Sequence, residues 1–300
     1  MSLLVIGGSN IDFLAKSNNT LIPADSNIGS VRISHGGVGR NVVENLARLG
    51  ASDLTFVTAL GDDTLGQAMH QELLSLGVKV LTPKTHQNSG SYLAIQSPDG
   101  DMALAVCDMH IMDELTEDWI NAHQSYFDRS DFLVFDSNLS KETLAFLFER
   151  NPNRPVCMDA ISTKKAERIA PFLDRLFLFK GNILEGEHLT GLKEPQEMVA
   201  NILNRGCKNV VISSGAGPIY YGYSENNTLV IDQVETLKAD AIVSTTGCGD
   251  SLFSGIVYSL AQHKSLKEGI LLGRKMSYHT LSTNSAVASD MNEWLKHCDL

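Results

Sequence analysis

The stretch that decides the fold reads STTGCGDS at residues 244–251, directly after the β-type run 241–243 and before an apolar helical pattern. A glycine turn at a helix start leaves the N–H groups of Gly247, Cys248 and Gly249 unpaired. The helix dipole favours negative charge at the same place. The turn therefore predicts an anion-binding site.

Asp250 adds a carboxylate to this turn, where it would repel a bound phosphate. A carboxylate that sits beside a phosphate usually accepts a proton or holds a metal ion. Taken alone, a plain glycine turn with an aspartate capping the helix explains the same residues more simply. The choice depends on what the rest of the chain places near Asp250.

The composition is that of a globular chain with an acidic balance. Its 300 residues are 43% hydrophobic and 20% charged, with a formal net charge of −11. Such a chain can bury a sizeable core in one large domain. Nucleic acids and anionic membranes are not expected as partners, because both need a basic face. A small anionic ligand is still compatible, through a local positive site.

The cysteines and histidines show no disulfide or metal spacing. Five scattered cysteines without a CxxC pair, and nine histidines without HExxH, predict reduced thiols in a cytoplasmic protein and no zinc site. No apolar run approaches the roughly 20 residues of a membrane span. Residues 1–8 are expected to form the first buried strand rather than a signal peptide.

Short apolar strands alternate with amphipathic helices along the chain. The predicted strands are 3–6, 54–60, 132–135, 156–158, 176–179, 209–213, 219–223 and 229–234. The predicted helices are one that carries Val42, Leu46 and Leu49 and ends at Gly50, then 64–76, 141–149, 252–261, 266–282 and one within 284–300. This alternation predicts an α/β fold, in which a mostly parallel central sheet is flanked by helices on both faces. In such a sheet, ligands bind at the carboxyl ends of the strands.

Two segments leave this pattern and are predicted to form a small β-sheet lid over the ligand site. One is irregular except for a half-exposed strand around Val31 and Ile33, and the other is a hairpin with its turn at 97–101. We expect the lid to comprise about residues 13–35 and 88–108. The whole chain, 1–300, is then a single domain that carries this lid.

Polar and glycine residues follow the first strand and open the first long helix. Asn10 and Asp12 alternate about Ile11, so their side chains point the same way and suit a diol, although an Asx turn explains them equally well. The glycine-rich run 36–41 is tolerated where the chain passes close to something, here predicted to be a sugar ring or base. Asn41 would add an amide to that contact.

Two further motifs suit a nucleotide and a metal ion. Asn182 and Glu185 lie three apart at a helix start, and an amide with a carboxylate suits hydrated Mg²⁺. A solvated helix start explains the pair equally well. The strand that ends at Ser213 runs into glycines and small residues up to Gly217, which suits either a nucleotide or a tight turn.

Together these motifs resemble the ribokinase-like sugar and nucleoside kinases, the PfkB family, in order and spacing. The resemblance covers residues 3 to about 282 and rests on the segments 8–12, 36–41, 182–187, 213–217 and 246–250. It implies a ribokinase-like α/β fold with a small β-sheet lid. It also implies ATP and Mg²⁺ as cofactors, with the metal at Asn182 and Glu185 through water.

The resemblance also implies a role for each motif. Asp250 would take the proton from the acceptor hydroxyl, and the backbone of Gly247, Cys248 and Gly249 would stabilise the transferring phosphate. The residues implied to bind ATP are Asn182, Ser213, Gly215, Gly217, Thr246 and Gly249. Potassium is left open as a further cofactor, because Ser244 stands where most members have an aspartate that helps bind a monovalent cation.

Within the family, the GGVGRN run at 36–41, the segments 24–27 and 91–93, and Asp108 resemble the pseudouridine kinases. The implied reaction is phosphate transfer from ATP to the 5′-hydroxyl of pseudouridine. The residues implied to bind the substrate are Asn10, Asp12, Gly36, Gly37 and Asn41 near the ribose, and Ser26, Asn27 and Asp108 near the base.

Two alternatives stay open at this point. One is a kinase for another nucleoside or ribose-like sugar, although Val38 replaces the lysine of ribokinase and makes plain ribose a weaker candidate. The other is a protein that binds a sugar or nucleoside without catalysis, as a sensor. The expected partners are the small-molecule substrate, ATP and a second copy of the chain, which would pair through the lid because small exposed sheets need to cover their edges and faces.

Overall fold

The architecture comes from a computed structural model, which describes residues 2–226, 228–239 and 241–298. Within these ranges the strands are β1 (Ser2–Ile6), β2 (Asn10–Ser17), β3 (Gly29–Gly36), β4 (Asp53–Val57), β5 (Lys79–Leu81), β6 (Ser91–Gln96), β7 (Met102–Asp108), β8 (Phe132–Asp136), β9 (Val156–Asp159), β10 (Leu178–Asn182), β11 (Asn209–Ser213), β12 (Ile219–Glu225) and β13 (Thr228–Val234).

The α-helices cover both faces of the main sheet. They are α1 (Val38–Arg48), α2 (Thr64–Ser75), α3 (Glu117–Ala122), α4 (Gln124–Arg129), α5 (Lys141–Arg150), α6 (Thr163–Ile169), α7 (Ile183–Thr190), α8 (Pro195–Asn204), α9 (Cys248–Ala261), α10 (Leu266–Leu281) and α11 (Met291–Lys296), with 3-10 helices at His110–Glu114 and Ala170–Arg175. None of the helices in the described ranges is long and apolar enough to cross a membrane.

Within the described ranges, nine strands form the central sheet, in the order β13-β12-β11-β10-β9-β8-β1-β4-β5. All neighbours from β11 to β5 run parallel, and β12 and β13 add an antiparallel edge. The predicted mostly parallel α/β sheet is therefore confirmed. Because the strands run parallel, the loops that leave their carboxyl ends all meet at one edge.

Alternating side chains of the central strand divide the core in two. Leu4 and Ile6 pack on the face covered by α5, and Leu3 and Val5 pack on the face covered by α1 and α9. A strand buried on both faces reads as a continuous apolar run, which is why residues 3–6 were recognisable in the sequence.

The predicted small sheet is also present, with four strands in the order β3-β2-β6-β7. It leaves the main domain after β1 and returns through Gly36 to α1, then leaves again after β5. On one face Phe13, Ile33, Leu93 and Val106 align across the strands. Ile33, Leu93 and Val106 are each more than two-fifths exposed, so this face is apolar and open.

Three local features differ from the sequence predictions. Asn10 and Asp12 lie before the predicted start of the lid at about residue 13, but they begin β2, an eight-residue strand of the small sheet. The edge strand β5 has only three residues, too few to show a pattern. The β-type run 241–243 forms no strand; it lies against the C-terminal end of α10, where Val243 N–H donates to Leu281 O at 2.8 Å.

Candidate active site

Charged residues line up across the carboxyl edge of the central sheet. The register pairs Asp136 of β8 with Asp159 of β9, and Asp159 with Lys180 of β10. All three residues are buried, and the N-terminus of α9 brings Asp250 to the same place. Repulsion from Asp136 and Asp159 and attraction by Lys180 all act on the Asp250 carboxyl. The sequence motifs scattered over the chain therefore converge on one charged site.

Asp250 has the environment of a general base. It lies in the first turn of α9, and Asn41 Nδ2 donates to its Oδ2 at 2.7 Å. Burial and the nearby Asp159 carboxylate raise the pKa of Asp250 to about 7, although the Asn41 hydrogen bond and Lys180 act in the opposite direction. A carboxyl group with this pKa can hold and release a proton near neutral pH.

The predicted anion-binding turn, formed by Gly247, Cys248 and Gly249 and called the anion turn below, has the backbone that the sequence indicates, except at Cys248. Gly247 caps α9 in the left-handed region with φ of 80°, and a Cβ there would lie 1.9 Å from Ala286 O. Over the part of the chain that is described, the N–H groups of Gly247 and Gly249 form no hydrogen bond, whereas Cys248 N–H reaches Thr245 O at 3.4 Å. The amides of Gly247 and Gly249, and to a lesser extent that of Cys248, are thus available to an anion.

The Cys248 side chain is not part of this anion site. Its sulfur lies 3.7 Å from Ser277 O on α10. Burial and the neighbouring Asp250 raise the pKa of the Cys248 thiol to about 11, so the thiol stays protonated at neutral pH. Cys248 therefore contributes to the turn through its backbone.

Lys180 is a site residue that sequence reasoning missed. Its Nζ forms a buried ion pair with Asp159 at 2.7 Å and lies 3.0 Å from where a Cβ on Gly249 would stand. Burial alone lowers the pKa of Lys180, but Asp159 offsets this and raises it, so the ammonium keeps its charge. Gly249 therefore lets a positive charge approach the anion turn. A polar residue at the end of a buried strand was the only sequence signal.

Asn10 and Asp12 point the same way, as predicted, and are hydrogen-bonded to each other. Asn10 Nδ2 donates to Asp12 Oδ1 at 2.6 Å. Burial raises the pKa of Asp12, against the opposing effects of Asn10, Arg40 and Arg32. Gly36 borders the same carboxylate, since a Cβ there would lie 2.2 Å from Asp12 Oδ2.

The other glycines of the 36–41 run pack against protein backbone. Gly37 has φ of 97°, and a Cβ there would lie 2.5 Å from Gly8 O, while a Cβ on Gly39 would lie 2.9 Å from Gly7. The close approach that the sequence assigned to a sugar or base is, at these two positions, an approach to the end of β1. This contact fixes the start of α1 and with it Asn41.

Asp136 was also missed, and it holds that junction together. Its Oδ2 accepts hydrogen bonds from Gly8 N at 2.7 Å and Gly39 N at 3.0 Å, and its Oδ1 accepts from Asn138 N at 2.9 Å. Burial raises the pKa of Asp136, against the opposing effect of these hydrogen bonds. Gly8 and Gly39 lie 128 and 97 residues from Asp136 in sequence, so no local pattern indicates these two contacts.

Asn182 and Glu185 form a capping box at the start of α7. Asn182 Oδ1 accepts from Glu185 N at 3.0 Å, and Glu185 Oε2 accepts from Asn182 N at 2.8 Å. Burial and Asp159 raise the pKa of Glu185. Among the described residues, no three His, Cys, Asp or Glu side chains are grouped to hold a metal. Both side chains are engaged in the helix cap, and their role toward a metal stays a prediction.

The residues implied to bind ATP lie along the same edge of the sheet. Ser213 ends β11 and pairs with Asn182 in the register, so these two motifs are neighbours. Gly215 has φ of 65° and nothing within 4 Å of a Cβ, whereas a Cβ on Gly217 would lie 2.6 Å from Ser214 Oγ. Thr246 is exposed at the anion turn, and its N–H donates to Ser244 Oγ at 3.1 Å. Ser244 is thus used to shape the turn.

Ser26, Asn27 and Asp108 are not brought together with Asn10 and Asp12. Asn27 is exposed, bonds to Ile22 N and O within the β2–β3 loop, and lines an open cavity with that loop; Ser26 N–H bonds to Asp25. Strand alternation directs Asp108 to the sheet face opposite Asp12, and its carboxylate bonds to His110. Base contacts from these three residues stay a prediction.

The chain is similar to two nucleoside kinases over almost its full length. It is 29% identical to the pseudouridine kinase of Escherichia coli (strain K12) over 289 residues, covering 93% of this chain and 90% of that protein. It is 28% identical to the guanosine-inosine kinase of Exiguobacterium acetylicum, covering 98% and 99% of the two chains.

Solved structures agree on the fold. A carbohydrate kinase from Agrobacterium tumefaciens superposes with a TM-score of 0.83 at 26% identity, covering 98% of this chain and 96% of the other. Ribokinase of Arabidopsis thaliana, solved with ribose and ATP, superposes with a TM-score of 0.80 at 17% identity, covering 100% and 99%.

A family profile decides the wider identity. The family model described as "pfkB family carbohydrate kinase" matches residues 1–293, and this range includes every motif of the site described above. The predicted resemblance to this family and the predicted phosphotransferase class are both confirmed. With its carboxylate at an anion turn and its ribokinase-like fold, the chain belongs to the pfkB family of carbohydrate kinases and is a phosphotransferase with an alcohol group as acceptor.

Proposed function

We propose that this kinase transfers the γ-phosphate of ATP to the 5′-hydroxyl of pseudouridine, giving pseudouridine 5′-phosphate. The observation that carries the chemistry is Asp250, a carboxylate with a pKa near 7 in the first turn of α9, beside an anion turn. The substrate assignment draws support from the similarity to the Escherichia coli enzyme and from the GGVGRN run at 36–41.

In the proposed reaction Asp250 accepts the proton of the 5′-hydroxyl as that oxygen attacks the γ-phosphorus. The bond between the γ-phosphorus and the bridging oxygen breaks, and ADP leaves. The amides of Gly247 and Gly249 and the ammonium of Lys180 stabilise the charge on the transferring group. Lys180 suits this role because it is buried, charged and beside Gly249. Catalysis then rests on positioning and electrostatics.

The acceptor is held from the other side of the cleft. Asn10 and Asp12 are hydrogen-bonded to each other and partly desolvated, so together they offer donors and acceptors to the ribose diol. Asn41 contacts Asp250 directly and would keep the base oriented toward the 5′-hydroxyl. In this arrangement Gly36 lets the ribose approach Asp12 closely.

The nucleotide would lie along the edge formed by Ser213, Gly215, Gly217 and Thr246. Mg²⁺, when bound with ATP, would neutralise phosphate charge, and Asn182 and Glu185 would orient its water ligands. A requirement for K⁺ is not part of the proposal, because Ser244 lacks a carboxylate and its hydroxyl is engaged with Thr246.

We also propose that two copies pair through their small sheets. The face that carries Val31, Ile33, Leu104 and Val106 is apolar and exposed, and each of these four side chains is more than half accessible. A second copy would cover this face and close the sheet over the substrate site as a lid. The free cysteines at the described positions suit the cytoplasm as the compartment.

A second candidate is a kinase of purine nucleosides. It is favoured by the match to the guanosine-inosine kinase, which extends over nearly the whole of both chains. Both candidates would bind the ribose through Asn10 and Asp12 and use Asp250 as the general base, and they differ only in the nucleobase of the acceptor.

A substrate panel decides between them. Pseudouridine, uridine, guanosine, inosine, adenosine, ribose and a keto-deoxy sugar acid are compared by kcat/KM with ATP, with and without K⁺. The proposal expects the highest value for pseudouridine and no turnover of 5′-deoxypseudouridine. A higher value for any other acceptor would overturn the substrate assignment and leave the family assignment standing.

A further inference from the structure

Arg40 is a buried charge that the proposed reaction does not use. The residue is only 5% exposed, and its guanidinium lies between Glu44 of α1, with which it forms an ion pair, and Glu72 of α2, at 3.3 Å. A buried arginine is costly unless its charge is paired and its donors are used. Burying the charge of Arg40 costs desolvation free energy, so the remaining contacts of this residue indicate what it does.

Those contacts lead to the catalytic residues. Arg40 Nη1 donates to Asn41 Oδ1 at 3.2 Å and to His35 O of β3 at 3.3 Å. Asn41 in turn donates from Nδ2 to Asp250 Oδ2 at 2.7 Å. A continuous chain of hydrogen bonds therefore runs from the guanidinium, through one amide, to the carboxylate.

This chain fixes which way the Asn41 amide faces. An amide has a donor end and an acceptor end of nearly the same shape, and only its partners distinguish them. With the guanidinium at one end, the oxygen must face Arg40 and the nitrogen must face Asp250. If the amide turned over, its NH₂ would meet a cation and its oxygen would meet a carboxylate, and both contacts would be repulsive.

We infer that Arg40 is a positioning residue for the phosphotransfer reaction, holding Asn41 in the orientation that directs an N–H group at Asp250. The inference rests on the proposed role of Asp250 as the base. Through His35 O, the same guanidinium also ties the end of β3 in the small sheet to Asn41 and, through Asn41, to Asp250. The charge of Arg40 also lowers the pKa of Asp12, so one buried cation acts on both the ribose-binding carboxylate and the proton acceptor.

A purely structural role for Arg40 makes a different prediction, and Arg48 offers the matched control. Arg48 lies two turns further along α1 and bonds to the same Glu44, with Nε to Oε1 at 2.8 Å, and also to Ser289 O. Within the described part of the chain, Arg48 forms no hydrogen bond with Asn41. Arg48→Met therefore removes a partner of Glu44 while leaving the Asn41 amide in place.

The experiment compares Arg40→Met, Arg40→Lys and Arg48→Met by the dependence of kcat and kcat/KM on pH, with thermal midpoints measured in parallel. Without Arg40 the Asn41 amide can turn away, and loss of one hydrogen bond raises the pKa of a carboxylate by about one pH unit. For Arg40→Met we expect the acid limb to move up by that amount, so that activity falls about fivefold at pH 7 and hardly at all at pH 9. Arg40→Lys keeps the charge without the fork and should be intermediate.

The charges that face this pair are Glu44, Glu72 and His35 around Arg40, and Asp136, Asp159 and Lys180 around Asp250. They are the same in all three variants, and Arg40→Lys also keeps the charge at position 40, so a limb displaced in Arg40→Lys reports the amide contact. Equal pH profiles for Arg40→Met and Arg48→Met would overturn the inference.

A double-mutant cycle gives a second readout, which also applies if Arg40→Met folds poorly. In an Asn41→Ala background, Arg40→Lys should cause no further change in kcat, because the residue through which it acts is gone. Additive effects would show that Arg40 does not act through Asn41. If instead Asp250→Asn kept full turnover, the proposed function itself would fail, and that result is distinct from either outcome of the cycle.

Discussion

Replacing Asp250 with asparagine is expected to change activity and stability in opposite directions. Burial and Asp159 raise the pKa of Asp250 from 3.8 to about 7 in the folded protein. In the unfolded chain the carboxyl has its ordinary value, so between about pH 4 and pH 7 the folded state binds the extra proton. Stability therefore falls as pH rises through this interval, and above about pH 7 the ionised carboxylate destabilises the folded state.

The size of this effect follows from the pKa. A rise of about three pH units, at 1.36 kcal/mol each, corresponds to about 4 kcal/mol. Asparagine carries no charge and avoids this cost, so Asp250→Asn should be more stable at pH 8 by up to that amount. This value is already net of the attraction of Lys180, which is one of the causes that set the pKa. The difference should grow by about 2 kcal/mol between roughly pH 5.5 and pH 7.

Urea unfolding of both proteins at several pH values between about 5.5 and 8.5 measures this difference. Asp53→Asn, at an exposed position at the opposite end of β4, is the control and should show no such trend. Turnover of Asp250→Asn should fall at least ~10³-fold with substrate binding kept. A pH-independent stability difference would refute the raised pKa, and a loss of turnover below tenfold would refute the base assignment.

Three further predictions concern the neighbouring features. Lys180→Met removes an effect that lowers the pKa of Asp250, so the acid limb of the kcat/KM profile should move above pH 7. Asp159→Asn removes an effect that raises this pKa, so the acid limb should move down. Shifts of the two limbs in the same direction would contradict the assigned charges. Gly247→Ala should abolish activity or folding, since the new Cβ would lie 1.9 Å from Ala286 O, whereas Gly50→Ala, with φ of 89° and open space, should cost only about 1 kcal/mol in thermal unfolding. Light scattering should give a dimer that Val106→Asp dissociates and that Leu74→Asp on α2 leaves intact; a monomeric native protein at assay concentration would refute pairing through the small sheet.

Local sequence was sufficient wherever the controlling contacts are local. The capping box of Asn182 and Glu185, the glycine start of α9 and the buried β1 each depend on residues within a few positions of one another. The hairpin of β6 and β7 was predictable for the same reason, because its turn residues lie between two alternating strands. Such features carry their own pattern, so the α/β class and the positions of the motifs could be predicted.

The missed residues share the opposite property. Asp136 bonds to Gly8 and Gly39, which are 128 and 97 residues away, and Lys180 meets Asp159 across two adjacent strands. A lone polar residue after a strand has many uses, and only its distant partners select one. Arg40 lies within a glycine-rich run, and neither of its carboxylate partners, Glu44 and Glu72, stands out in the sequence. Its role could therefore not be predicted.

The sequence by itself determined that this is a parallel α/β kinase of the pfkB family with an aspartate at an anion turn, because periodicity, glycine turns and motif order are written along the chain. Only the tertiary structure decided what surrounds that aspartate. The pKa of Asp250 is set by burial and by Asp159, Asn41 and Lys180, which reach it from three other elements. Electrostatic interactions act through space at a few ångströms, so the strength of the base is a property of the fold and not of the motif.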